Sequence, residues 1–188
     1  MTRSVLTGPP CSGKTAVSSA IAAAMPHIAV VPEAATQVYE ADGTRWDSLD
    51  LAGRNERQRR IYQLQLRQEE AFARRHPDKS LLLDRGTLDG AAYWPDGPDA
   101  YWHEMKTTRE IELARYDRVI FLETAATIGI YGLDSNAARF EEPADAIANG
   151  KRLFNLWCAH PNIITIPAFP SLADKIAAVK AILNKEPF

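Results

Sequence analysis

Gly8-Pro9-Pro10-Cys11-Ser12-Gly13-Lys14-Thr15 matches the spacing G-x-x-x-x-G-K-[ST] at every fixed position. That composition suits a backbone that wraps phosphate. Glycine lets the main chain approach the anion closely, and consecutive N–H groups at a helix N-terminus supply donors and a favourable dipole. Gly8 and Pro10 shape the turn. Proline has no N–H, so the donors run from Cys11 through Ser12, Gly13 and Lys14 to Thr15. Lys14 is placed to reach the β- and γ-phosphates of a nucleoside triphosphate, and the Thr15 hydroxyl to ligate Mg²⁺. ATP and Mg²⁺ are therefore the expected cofactors. Before phosphate arrives, Lys14 is expected to face solvent, so that its removal leaves the fold intact.

Four further positions carry chemistry where apolar runs end. Asp84 could hold Mg²⁺, directly or through water, or could cap the next helix. Arg85 beside it could neutralise phosphate charge or orient an acceptor, or simply be exposed. Glu33 could hydrogen-bond or deprotonate an acceptor hydroxyl, or pair with a helix dipole. Glu123 is the weakest of the set and reads more readily as structural. Phosphoryl transfer needs alignment, a cation and positive charge on the equatorial oxygens. Arg139 could close over the nucleotide and supply that charge, or pair with Glu141 or Glu142 at the surface.

The elements that must position these groups are short. Ser4–Thr7, His27–Val31, Ser80–Leu83, Arg118–Leu122 and Asn162–Ile166 read as five buried strands. Helices are expected over Ala16–Met25, Ala34–Glu40, Arg54–His76, Asp99–Arg115, Ala144–Ala159 and from the Ser171 cap to Asn184. Ala41–Gly53 and Ala125–Pro143 read as loops, the second as a small lid. Continuous apolar strands alternating with helices predict an α/β, doubly wound parallel sheet. In such sheets ligands bind beyond the carboxyl ends of the strands, which is where Gly8–Thr15, Glu33, Asp84-Arg85 and Glu123 fall. No linker or repeat interrupts the 188 residues, so one domain over 1–188 is expected.

Thr7–Thr15, Val31-Pro32-Glu33-Ala34-Ala35 and Asp84-Arg85-Gly86-Thr87-Leu88-Asp89-Gly90 together resemble the P-loop nucleoside and nucleotide kinase superfamily. Within it they look most similar to the branch holding the ribosylnicotinamide kinase domain and AAA-type kinase-like proteins. The resemblance spans nearly the whole chain. It implies a P-loop NTPase fold with strand order 2-3-1-4-5, an acid after strand two near the acceptor hydroxyl (Glu33), and an Asp-Arg pair after strand three (Asp84, Arg85). It also implies a lid arginine, for which Arg139 is the candidate. A glutamine on the long helix facing the acceptor is implied too, with Gln65 beside Gln58, Gln63 and Gln68.

Composition narrows the class. Hydrophobic residues at 46% and charged residues at 24% are ordinary globular values, and a net charge of −2 argues against a nucleic-acid-binding surface. The two cysteines, Cys11 and Cys158, build no disulfide framework, which fits a reducing cytoplasm. The opening strand starts almost at Met1, leaving no room for a signal peptide, and no apolar run approaches membrane length. Arg54, Arg57, Arg59 and Arg60, interspersed with acids, read as a solvated helix face. Trp94 and Trp102 read as core or rim, and Trp46 as a residue near the acceptor. The resulting expectation is a magnesium-dependent transferase that moves the γ-phosphoryl of ATP to a small, nucleoside-like acceptor. A nucleoside-triphosphatase and a nucleotide-binding switch without turnover are the alternatives.

Overall fold

Five apolar runs form the strands β1 (Arg3–Thr7), β2 (Ile28–Val31), β3 (Ser80–Asp84), β4 (Arg118–Leu122) and β5 (Ile163–Ile166). The structure, a computed structural model, describes residues 1–43, 48–130 and 142–185. Trp46, Arg139 and Glu141 lie outside the described residues. The sheet is parallel throughout, as the apolar strands predict, with the order β2-β3-β1-β4-β5 that the resemblance implies. β1 is central, and its Leu6 stands level with Asp84 of β3 and Ile120 of β4.

Side chains alternate between the two faces of each strand, and this splits the core. Val5, Leu81, Leu83 and Val119 share one layer with Tyr101 and Trp157. Leu6, Leu82 and Ile120 share the other with Val17 and Ile21 of helix α1 (Lys14–Ala24) and Val179 of helix α8 (Leu172–Leu183). The first face carries α2 (Ala34–Asp42), α3 (Leu51–Arg75), α4 (Asp89–Ala92), α5 (Pro98–Met105), α6 (Arg109–Leu113) and α7 (Pro143–Trp157). Both faces of every central strand are therefore buried, which is why these strands read as unbroken apolar runs.

Three element boundaries differ from expectation. The helix predicted over Asp99–Arg115 is two helices, because Lys106 turns left-handed (φ 55) and Thr108 caps α6 by accepting from Ile111 N–H. The long helix starts before Arg54, at Leu51, because the Asp50 carboxylate accepts from Gly53 N–H at 2.8 Å. Residues 125–128 of the expected lid form a single 3₁₀ turn capped by Thr124. Arg57 also departs from its predicted solvated role. It is buried, lies 4.9 Å from the Tyr39 ring centre, and pairs with Asp42 at 3.2 Å. Arg59 and Arg60 keep the surface role and pair with Glu56, Glu104 and Asp42.

Trp157 ties α7 to the sheet. It is fully buried, its Nε1–H donates to Asp89 at 2.7 Å, and its ring fills the space where a side chain on Gly86 would stand. Trp157→Ala is expected to cost about 3–5 kcal/mol in urea unfolding. A loss below about 1 kcal/mol would contradict this packing.

Candidate active site

The chain leaves β1 through Gly8, whose φ of 146 and contact with β4 both exclude a side chain. A Cβ there would lie 2.3 Å from the Leu122 carbonyl oxygen. Cys11 (φ 59) and Gly13 (φ 88) complete the turn. Gly13 caps α1 without any side-chain bond, and the first-turn N–H groups of a helix have no intrahelical acceptor. The loop thus leads into an uncapped helix N-terminus, the arrangement an anion needs.

Lys14 corrects the expectation of an exposed cation. It is 8% exposed, and its Nζ donates to Gly8 O at 2.8 Å, Pro9 O at 2.9 Å and Ser12 Oγ at 3.3 Å. Burial, reinforced by the Arg85 charge, lowers its pKa from 10.5 to about 7, against the opposing pull of Glu33, Asp84 and Asp89. The amine thus holds the loop's own carbonyls, so Lys14 supports the folded loop as well. Lys175 on α8, which sequence reasoning missed, braces the loop from outside by donating to Ser12 O and Glu123 O, each at 3.0 Å. No local pattern marks a lysine in an amphipathic helix for that contact.

Asp84 closes β3 beneath the loop. Its Oδ2 accepts from Ser18 Oγ at 3.1 Å, and Ser18 also bonds the Thr15 carbonyl, one helical turn earlier. Asp84 Oδ1 is buried with no hydrogen-bond partner among the described residues. Burial, then the Glu33 charge, raises the Asp84 carboxyl above its usual range. An orphaned, desolvated oxygen on a carboxylate whose other oxygen is bonded to Ser18, one helical turn past Thr15, fits a hard divalent cation.

Arg85 adopts φ 74 and is the hub of the site. Its Nε donates to Glu33 Oε1 at 2.5 Å, and its Nη1 to Asp89 Oδ2 at 2.9 Å and Gly8 O at 3.4 Å. It is therefore not an exposed strand-end arginine. Burial alone would raise the Glu33 carboxyl, but Arg85, the Thr36 hydroxyl and Lys14 hold it below its usual range. Asp89 was missed as a site residue. It accepts from Thr7 Oγ1, Trp157 Nε1 and Arg85. Its place in the Asp84–Gly90 segment was the available signal, but an acid five residues past the strand reads as a helix start.

A cavity of about 490 Å³ opens on the Pro10 side of the loop, with Glu33, Tyr39, Gln58, Gln65, Arg85 and Asp89 in its wall. Gln65 spends its amide hydrogens on Glu69 (3.0 Å) and Arg85 O (3.2 Å), which leaves its carbonyl oxygen for a ligand. A second cavity, about 320 Å³, lies on the Pro9 side against Glu123, Thr124 and α7. Glu123 thus lines this second space and not the first.

Sheet order, phosphate loop and parallel strands together define an α/β P-loop NTPase-like fold. Residues 3–172 match the AAA domain family, and the chain belongs to it. The fold is similar to the crystal structure of NadR protein in complex with NAD and AMP-PNP, with a TM-score of 0.66 and 14% identity over 98% of this chain. The chain spans 50% of that protein's length. No curated protein matches the sequence.

Lys14 gives this site a pH signature. Between about pH 7 and 10.5 the unfolded chain keeps a proton that the folded chain has released, so stability rises with pH across that window. Urea unfolding from pH 7 to 10 is expected to show this rise in the wild type and a flatter one in Lys14→Met. Parallel curves for the two would contradict the buried amine.

Proposed function

We propose that the chain is a phosphotransferase that moves the γ-phosphoryl of Mg-ATP to the hydroxyl of a small, nucleoside-like acceptor. One observation carries this reading: the cavity of about 490 Å³ beside the phosphate loop, walled by Glu33, Arg85 and Asp89. A water nucleophile needs no space of that size, whereas small-molecule sites start near 300 Å³. A binding switch has no use for a second chamber against the loop.

In this reading the N–H groups from Cys11 to Thr15 hold the triphosphate in the turn shaped by Gly8 and Pro10. Lys14 exchanges the Gly8 and Pro9 carbonyls for β- and γ-oxygens, and regains its proton as it does so. The Thr15 hydroxyl and Asp84 Oδ1 would hold Mg²⁺, which would supply positive charge to the β- and γ-phosphate oxygens. Glu33 faces the cavity and Asp84 does not. Glu33 is therefore the group that accepts the acceptor's hydroxyl hydrogen bond, oriented by Arg85 and Thr36. Its lowered pKa suits an orienting carboxylate, and a loose transition state asks little more of it. Arg139, in the segment 125–143, completes the proposal as the lid arginine of one domain over 1–188.

Turnover with Mg-ATP across nucleosides, nucleotides and small alcohols tests the assignment. An acceptor that accelerates ADP release is expected, with Glu33→Gln lowering kcat/KM for that acceptor by about 10²-fold and leaving ATP affinity unchanged. Hydrolysis that no acceptor accelerates would overturn this in favour of a triphosphatase. Tight ATP binding with no turnover would favour a switch.

A further inference from the structure

Glu69 lies in the C-terminal third of α3, 0% exposed, behind the wall of the larger cavity and outside it. A buried carboxylate costs several kcal/mol in desolvation unless it is well bonded, and Glu69 is. Its Oε2 accepts from Arg115 Nη2 at 3.0 Å, with Arg3 Nη1 4.0 Å away. Its Oε1 accepts from Gln65 Nε2 at 3.0 Å and from the Tyr116 hydroxyl at 2.9 Å.

Those last two donors lead to the active-site turn. Gln65 Nε2 also donates to the Arg85 carbonyl at 3.2 Å. Tyr116 Oη accepts from Thr87 N–H at 2.9 Å and contacts Thr87 Oγ1 at 2.9 Å. Burial, then the Glu69 charge, pushes the Tyr116 hydroxyl well above its ordinary range. It therefore stays a donor to the carboxylate, and Thr87 is the donor to it. One carboxylate thus grips the Arg85-Gly86-Thr87 turn at both ends, by a carbonyl at the first residue and an N–H at the third.

That grip falls where the backbone needs it. Arg85 has φ 74 without being glycine, a conformation that L-residues adopt only at a cost. Arg85 N–H reaches Leu6 O at 3.0 Å, and its carbonyl is met by Gln65. If Gln65 loses its anchor on Glu69, the Arg85 carbonyl loses a fixed donor. The guanidinium that bridges Glu33 and Asp89 is then no longer held by its own backbone.

We propose that Glu69 is the positioning residue of this site, fixing the Arg85–Thr87 turn through Gln65 and Tyr116 so that Arg85 meets Glu33. The kinetic part of this inference rests on the phosphotransferase reading; the structural part does not.

Arginine Nε–H NMR spectra of the full chain, recorded with neither nucleotide nor acceptor, test it directly. The Arg85 resonance is identified by its loss in Arg85→Lys. Glu69→Met removes the anchor, and Gln65→Met cuts one arm while leaving Glu69 with Arg115 and Tyr116. In both variants the Arg85 resonance is expected to shift and to exchange faster with water, with calorimetric ATP affinity retained. In the wild-type reaction the same variants should lower kcat by about 10²-fold without changing KM for ATP. An Arg85 resonance unchanged in Gln65→Met overturns the proposal, even if Glu69→Met does not fold, because a purely structural Glu69 would affect stability alone. A wild type with no acceptor-dependent turnover would remove the kinase reading, and the spectra would still decide this one.

Discussion

Where a side chain on Gly8 would have to stand, the carbonyl oxygen of Leu122 already does, 2.3 Å from the place of the missing Cβ. That close approach draws the turn after the central strand across the end of β4, and the site is built around it. The turn can then run through Cys11 and Gly13 into α1, with Pro9 facing one cavity and Pro10 the other. Lys175 adds a second restraint by joining Ser12 O to Glu123 O, so the loop and the β4 end are tied together.

Charge is distributed around that loop with little to spare. Glu33, Asp84 and Asp89 face Lys14 and Arg85, and the two cations are spread over several acceptors each. Arg85 binds two carboxylates, so neither it nor Glu33 is free to wander. Asp84 is the exception, since one oxygen has no partner among the described residues and its proton affinity is raised. Lys14 is the other strained member, an amine lowered to about 7 by burial. Both strains run in the direction that Mg²⁺ and a polyphosphate would relieve.

Much of this was legible in the residues, and the division has a physical basis. The phosphate loop could be read because its chemistry is local: fixed glycines, a lysine and a hydroxyl within eight positions. The sheet could be read because strands buried on both faces show as unbroken apolar runs, and the Ser171 cap because capping is set by adjacent residues. Positions fixed by tertiary contacts were harder. Arg57 is buried by Tyr39 and Asp42, which approach from α2. Lys106 breaks a helix by a backbone conformation that its side chain does not advertise. Asp89, Lys175 and Glu69 also bond Thr7, Ser12 and Tyr116, which lie 82, 163 and 47 residues away, distances at which no spacing rule operates.

The account stands on main-chain donors gripping a polyphosphate, and backbone amide NMR reads those donors directly. During titration with Mg²⁺ and a non-hydrolysable ATP analogue, the Gly13, Lys14 and Thr15 amide resonances are expected to show the largest displacements in the chain. Unmoved loop amides at millimolar nucleotide would contradict the account at its foundation.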